Sequence, residues 1–269
     1  MKRHTSLMVI LCFFLICSAC SATEDIYLTG IEANSYEQKV LKVDNKAGLD
    51  MNIENGNIEV FTWDKNEIKF EIKKQINGNT DRSVLQEMLN NLTIDIAQND
   101  DIISLNSKYK GKKDINYSKI DLIIYLPKKI NSISCNIGGG WIKFIDDIRC
   151  DLKIKSQKAF IQINNIVGKI DAVIGEGNFT INNGTIHGDT KVQVEKGNIS
   201  IRAGLDPNGF FDFSTMFGNI DLSFPEDVQT SFISTAAFKV NEFGESSYPA
   251  RVKAYSKIGR VSILKINKL

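Results

Sequence analysis

Gly177-Asn178-Phe179-Thr180-Ile181, Gly197-Asn198-Ile199-Ser200-Ile201 and Gly218-Asn219-Ile220-Asp221-Leu222 share one pattern, a Gly-Asn pair followed by apolar, polar and apolar residues. With a small residue leading, the unit recurs as Gly140-Trp141-Ile142-Lys143-Phe144, Ala159-Phe160-Ile161-Gln162-Ile163 and Gly259-Arg260-Val261-Ser262-Ile263. The first apolar positions, 142, 161, 179, 199 and 220, are 19, 18, 20 and 21 residues apart, and Val261 follows 41 later, about two periods. A constant spacing of this size marks a repeat architecture.

Each period holds a second alternating segment ahead of the small residue: Ile133/Cys135/Ile137, Leu152/Ile154, Ile170/Ala172/Ile174, Val192/Val194, Phe211/Phe213 and Val252/Ala254. Alternation with period two buries one face of a strand and wets the other. Two strands and two turns in about 20 residues make one coil of a β-solenoid. One coil cannot bury its own apolar face, whereas coils stacked at about 4.8 Å enclose a continuous core. The Gly-Asn pairs belong at the turns, since Gly adopts φ > 0 at little cost and Asn tolerates it better than most residues. Gly177, Asn178, Gly197, Asn198, Gly218 and Asn219 are therefore expected to form a structural turn ladder.

The chain before the repeats reads differently. Leu41-Lys42-Val43, Gly56-Asn57-Ile58-Glu59-Val60 and Ile68-Lys69-Phe70-Glu71-Ile72 are expected strands. A short amphipathic helix follows, capped by Asp81, with Val84, Leu85, Met88, Leu89 and Leu92 on its apolar face. Strands over 93–97, 102–107 and 120–126 lead to Pro127. The expected class is all-β: a single-stranded solenoid over 131–269, closed by a strand-rich cap with one short helix over 41–130.

The amino terminus carries a targeting signal. Lys2 and Arg3 precede an uninterrupted apolar run from Leu7 to Cys17, too short to span a bilayer and suited to the core of a signal peptide. Ile16-Cys17-Ser18-Ala19-Cys20 resembles a bacterial lipobox, with Cys17 where that motif usually has Leu. The resemblance implies a signal peptide over 1–19, a lipid on Cys20, and a tether over 20–40 holding the protein to the outside of the cell membrane.

Taken together, the chain from about Leu41 to Ile266 resembles the bacterial β-strand-repeat family known as "putative adhesins", a domain of unknown function. The resemblance rests on Gly-Asn-Ile-Glu-Val at 56–60, Thr62-Trp63-Asp64, Ile120-Asp121-Leu122 through Leu126-Pro127-Lys128, the repeated Gly-Asn units, and Leu222-Ser223-Phe224-Pro225. It implies no catalytic residues.

Charge and chemistry narrow the function. Removing Lys2 and Arg3 from 33 basic residues leaves 31 against 32 acidic ones, a balance that gives nucleic acid no electrostatic purchase. Cys135 and Cys150 lack metal-site spacing and read as small apolar core residues, although a disulfide between them is open. Outward positions on the Gly-side strand are Lys143, Gln162, Thr180, Ser200, Asp221 and Ser262. On the other strand they are Lys153, Asp171, Gln193, Asp212 and Lys253, with Asp171 near Asp212 across an intervening coil. His187, the sole histidine after the leader, sits in a turn without a nucleophile elbow. No phosphate loop, dinucleotide fingerprint or metal cluster is present, so no cofactor is expected.

The expectation is a non-catalytic, lipid-anchored envelope protein presenting its solenoid to an envelope protein or a glycan. The alternatives are a carbohydrate-active solenoid enzyme and an accessory to envelope-stress sensing. The anchor is directly testable: Cys20→Ala should abolish lipid attachment and give a soluble or uncleaved product. A processed chain of unchanged size in the membrane fraction would refute the lipobox.

Overall fold

The computed structural model describes residues 30–44, 46–111, 115–244 and 247–267. The leader and Cys20 lie outside the described residues. The elements begin with β1 (Ile31–Lys42), β2 (Gly48–Trp63), β3 (Glu67–Gly78) and a short helix α1 (Arg82–Met88) that runs into a 3-10 turn at Leu89–Asn91. Next are β4 (Leu92–Asn99), β5 (Ile102–Tyr109), β6 (Tyr117–Pro127), β7 (Ser132–Ile148), β8 (Asp151–Gly168), β9 (Ile170–Glu176), β10 (Phe179–Ile181) and β11 (Gly184–Ile186). They are followed by β12 (Thr190–Lys196), β13 (Ile199–Arg202), β14 (Gly204–Leu205), β15 (Phe210–Phe217) and β16 (Ile220–Pro225). The last four are β17 (Thr230–Thr235), β18 (Phe238–Asn241), β19 (Ala250–Ile258) and β20 (Arg260–Ile266). The described residues are all-β apart from one short helix and its 3-10 extension.

Parallel pairing stacks these strands into layers. Ile142, Ile161, Phe179, Ile199 and Ile220 are partners in succession, so the sequence spacing becomes a column of side chains. All five are buried, as are Phe144, Ile163, Ile181, Ile201 and Leu222 in the neighbouring column. Each such side chain contributes roughly 1.5 to 3 kcal/mol when it leaves water. A third column, Met51, Cys135, Ile154, Ala172, Val192, Phe213 and Ala254, mixes large and small residues that fill one another's gaps.

The ends do not follow sequence order, which corrects three expectations. Val261 sits directly on Ile220, and the 40 residues between them include β17 and β18, which pair on the far side of β19 and β20. At the other end β2 lies against β7, with Ile58 beside Ile142, while β5 and β6 stack outside β2. The stack therefore reads β5–β6, β2, β7, β8, β9–β11, β12–β14, β15–β16, β19–β20, β17–β18, and it extends well into the 41–130 segment expected to be only a cap. The expected 20–40 tether overlaps β1, whose residues from Ile31 onward pair antiparallel with β3.

True capping comes from antiparallel strands. β3 pairs with β6, β1 with β3, and β4 with β5. Leu85 and Leu89 press α1 and its extension into the core, Val84 stays exposed, and Asp81 holds the N-cap position without a side-chain cap bond. At the opposite end Phe224 stacks on Phe232, which meets Phe243.

Among the described residues Cys135 and Cys150 are free and buried, not bridged. Burial, then the charge of Asp50 for Cys135 and of Asp151 for Cys150, pushes both thiols up to about 12. A buried acid held neutral favours the folded state fully below the unfolded thiol value near 9. That contribution is lost as pH climbs from there towards about 12, because only the unfolded chain releases its protons. Urea midpoints should fall over this alkaline range, and Cys135→Ala/Cys150→Ala should flatten the fall. An unchanged slope in the double variant would refute the assignment.

The corners depend on glycine. Gly197 has φ +142°, and a Cβ there would overlap the carbonyl oxygen of Gly177 in the layer below. Backbone cannot move aside without breaking the ladder of hydrogen bonds. Gly197→Val should lower stability by about 2 to 4 kcal/mol, combining φ strain with overlap. Chemical denaturation measures this, and a Val variant of full stability would refute it.

Candidate functional site

The turn residues stack as a ladder with a defined hydrogen bond. The Asn178 side-chain oxygen accepts the Asn198 N–H at 2.8 Å, Asn198 accepts that of Asn219 at 2.8 Å, and Asn219 that of Arg260 at 3.0 Å. Asp121 plays the same part for Asn57, at 3.2 Å. Hydroxyls inside the corner serve the glycine carbonyls: Thr215 donates to Gly197 at 3.0 Å and Ser256 to Gly218 at 2.8 Å. The ladder is thus a device that fixes each layer on the next.

Two successive rungs are different. Trp141 and Phe160, partners on β7 and β8, stand between Asn57 and Asn178. The same row continues in the other direction through Asp121 and Lys73 to Tyr36 on β1, across strands whose outward residues share one sheet face. Phe160 is 55% exposed and Tyr36 70% exposed, with Trp141 half-buried. The Lys143 ammonium lies 4.4 Å from the Trp141 ring centre, and that of Lys73 5.8 Å from Tyr36.

Two open hollows adjoin this row and share Asn57 and Trp141. The larger, of about 740 Å³, runs from Tyr36 and Gln38 past Lys73, Glu71, Asp121 and Glu59 to Trp141. The second, of about 550 Å³, lies between Trp141, Phe160, Lys158 and Tyr117. Most carboxylates of the larger hollow are already paired: Glu71 with Lys69 at 2.6 Å, Glu37 with Lys74 at 2.9 Å, and Asp121 with Lys119 at 3.1 Å. Beside the second hollow, Tyr117 donates its hydroxyl proton to Glu32 at 3.0 Å. Gln75 bonds the same carboxylate at 2.8 Å and, with Tyr117 and Asn34, outweighs partial burial to lower its pKa. Burial and the Glu32 bond raise that of Tyr117. These contacts anchor the wall, leaving the Asn57 amide and the Glu59 carboxylate without a side-chain hydrogen bond among the described residues.

The residues weighed for catalysis are spread differently from expectation. Asp171 and Asp212 do flank one layer, but the residue between them is Lys191, not Gln193, so the column reads Lys153, Asp171, Lys191, Asp212, Lys253. Gln193 instead pairs with Val173 and Ser214. A whole strand carrying Lys191 separates the two carboxylates, which therefore do not stand side by side. His187 is exposed in the turn before β12, where its carbonyl accepts the Thr190 hydroxyl at 3.0 Å. Among the described residues no cluster of three or more His, Cys, Asp or Glu side chains could hold a metal, and no helix is long and apolar enough to cross a membrane. The aromatic row escaped sequence reading because Trp141 and Phe160 looked only like departures from Gly-Asn, and Tyr36 lay in a presumed tether.

The family model Toastrack DUF4097 matches residues 146–242. No curated protein matches the chain. Similar solved structures include a "putative cell adhesion protein" from Clostridium sporogenes ATCC 15579 (14% identity, 87% of this chain and 100% of that one, TM-score 0.37). Others are a "putative adhesin" from Bacteroides fragilis NCTC 9343 (16%, 86% and 97%, TM-score 0.39) and one from Parabacteroides merdae ATCC 43184 (11%, 86% and 97%, TM-score 0.41).

Proposed function

We propose that the protein is a non-catalytic component of the bacterial cell envelope, held to the membrane by a lipid on Cys20 and presenting the outer face of its stacked strands to a partner. The observation that carries this reading is the character of that face. Its outward columns mix lysine, aspartate, amide and hydroxyl groups, the two aspartates weighed as a catalytic pair are separated by Lys191, and Tyr36, Trp141 and Phe160 stand in one row across the strands. A rigid surface with dispersed polar groups and a few aromatic anchors suits recognition, whereas hydrolysis needs an acid and a base converging on one bond.

The lipobox supplies the location, and the stack supplies a body that stays ordered while displayed. Each layer contacts only its neighbours, so surface residues can vary with little effect on the core.

The reading is tested with the full chain purified in detergent and co-sedimented with isolated cell envelopes. Envelope binding is expected, with no release of soluble sugar. The variant combining Asp171→Ala, Asp212→Ala and His187→Ala should fold and bind as the parent does, since none of the three is buried and surface substitutions usually shift stability by only about 0.5 kcal/mol. Sugar release that the triple variant abolishes would establish an enzyme instead, and failure of the parent to bind envelopes would remove the binding role.

A further inference from the structure

We propose that the row of Tyr36, Asn57, Trp141 and Phe160 is a binding site for an uncharged oligosaccharide laid across the strands, an inference that rests on the envelope-binding reading and names its ligand class.

The interrupted ladder is the first argument. At Asn178, Asn198 and Asn219 the chain uses a side-chain oxygen to tie one layer to the next. At the two adjacent rungs it forgoes that bond and sets aromatic rings on the surface. The row departs from asparagine again at its far end, at Arg260 and the exposed Phe238, but Trp141 and Phe160 interrupt it between two asparagines and beside the hollows, and an interruption so placed points to a site. The exception is also placed where the outward face is concave, between the hollows that Trp141 joins.

Chemistry selects the ligand. The apolar face of a pyranose ring can lie on an indole or phenyl ring, and its hydroxyls both donate and accept hydrogen bonds. The Asn57 amide does both, and the Glu59 carboxylate accepts. The other carboxylates of the larger hollow are neutralised by their lysines, so little net charge remains to attract an ionic ligand. An apolar peptide would want contiguous apolar surface, whereas Lys73, Asp121 and Asn57 separate Tyr36 from Trp141. Strands are spaced by about 4.8 Å, close to the rise of one sugar unit. Four such steps put Tyr36 about 19 Å from Trp141, room for a chain of several sugars with an aromatic ring at each end.

The experiment titrates the full chain in detergent with neutral chitohexaose and cellohexaose and with charged hexagalacturonate, followed by calorimetry. A neutral hexasaccharide should bind, with hexagalacturonate at least about tenfold weaker. The informative variants are Trp141→Asn and Phe160→Asn, which return the ladder residue to its rung. Each should weaken binding by about tenfold or more while the melting temperature stays level or rises. A merely structural role for the aromatics would instead lower the melting temperature. Lys253→Ala, on a column away from the row, should bind as the parent does. The proposal is overturned if neither neutral probe binds, if hexagalacturonate binds as tightly, or if both Asn variants keep the parent affinity. Envelope co-sedimentation of the same preparations separates the two levels: a parent that sediments with envelopes yet ignores both neutral probes loses the glycan site and keeps the envelope role.

Discussion

Parallel strands can exchange backbone hydrogen bonds at about 4.8 Å only while equivalent residues of successive layers remain level, and everything else in this molecule follows from how that level is kept. A slip of one residue would turn every Ile and Phe of a layer outward. Two devices oppose it. The glycine corners let one layer's carbonyl occupy the space that the next layer's Cβ would fill, and the asparagine ladder ties each corner to the one above. Along the neighbouring face Lys153, Asp171, Lys191, Asp212 and Lys253 alternate in sign, so the level register sets opposite charges on neighbouring strands. Register and core are thus specified by different forces acting at the same positions.

The middle of the stack was readable from sequence because its connections are short and regular. Ile142, Ile161, Phe179, Ile199 and Ile220 keep a spacing of 18 to 21 residues, and they stack as that spacing implies. The ends were not readable, since stacking follows position in space and not along the chain. Gly56-Asn57-Ile58-Glu59-Val60 is the repeat unit in full, yet an excursion through β3 to β6 parts it from its neighbour on β7. The interval before Val261 looked like two successive coils and is one coil plus a detour to the outside. The error at Gln193 has a smaller cause. Thr190 takes the interior place held by Ile170 in the layer before, and a buried threonine does not announce itself as core. Its hydroxyl accepts the Ile170 N–H and donates to the His187 carbonyl, which is why it can be there.

The candidate site was less legible than the fold, for a physical reason. Its members come from β1, β2, β7 and β8 and meet only because β3 and β6 are interposed in the sheet. Nothing in the spacing of Tyr36 and Trp141 foretells that they share a face. The turn ladder, by contrast, repeats at a short interval, and its geometry depends on local backbone demands that residue type reveals.

The interleaved ends impose an order in time. Ile58 meets Ile142 across 84 residues, whereas neighbours in the middle of the stack meet across about 20. A ribosome adds about 5 to 20 residues per second, so β2 exists for roughly 4 to 17 s before its inner neighbour has been made. Loop-closure entropy also favours the near partners over the far one. The layers from β7 to β16 can therefore close on one another as they emerge, while the first coil to be synthesised waits longer for its inner neighbour than any layer of the middle does, and its backbone edge is open to the wrong strand for that time.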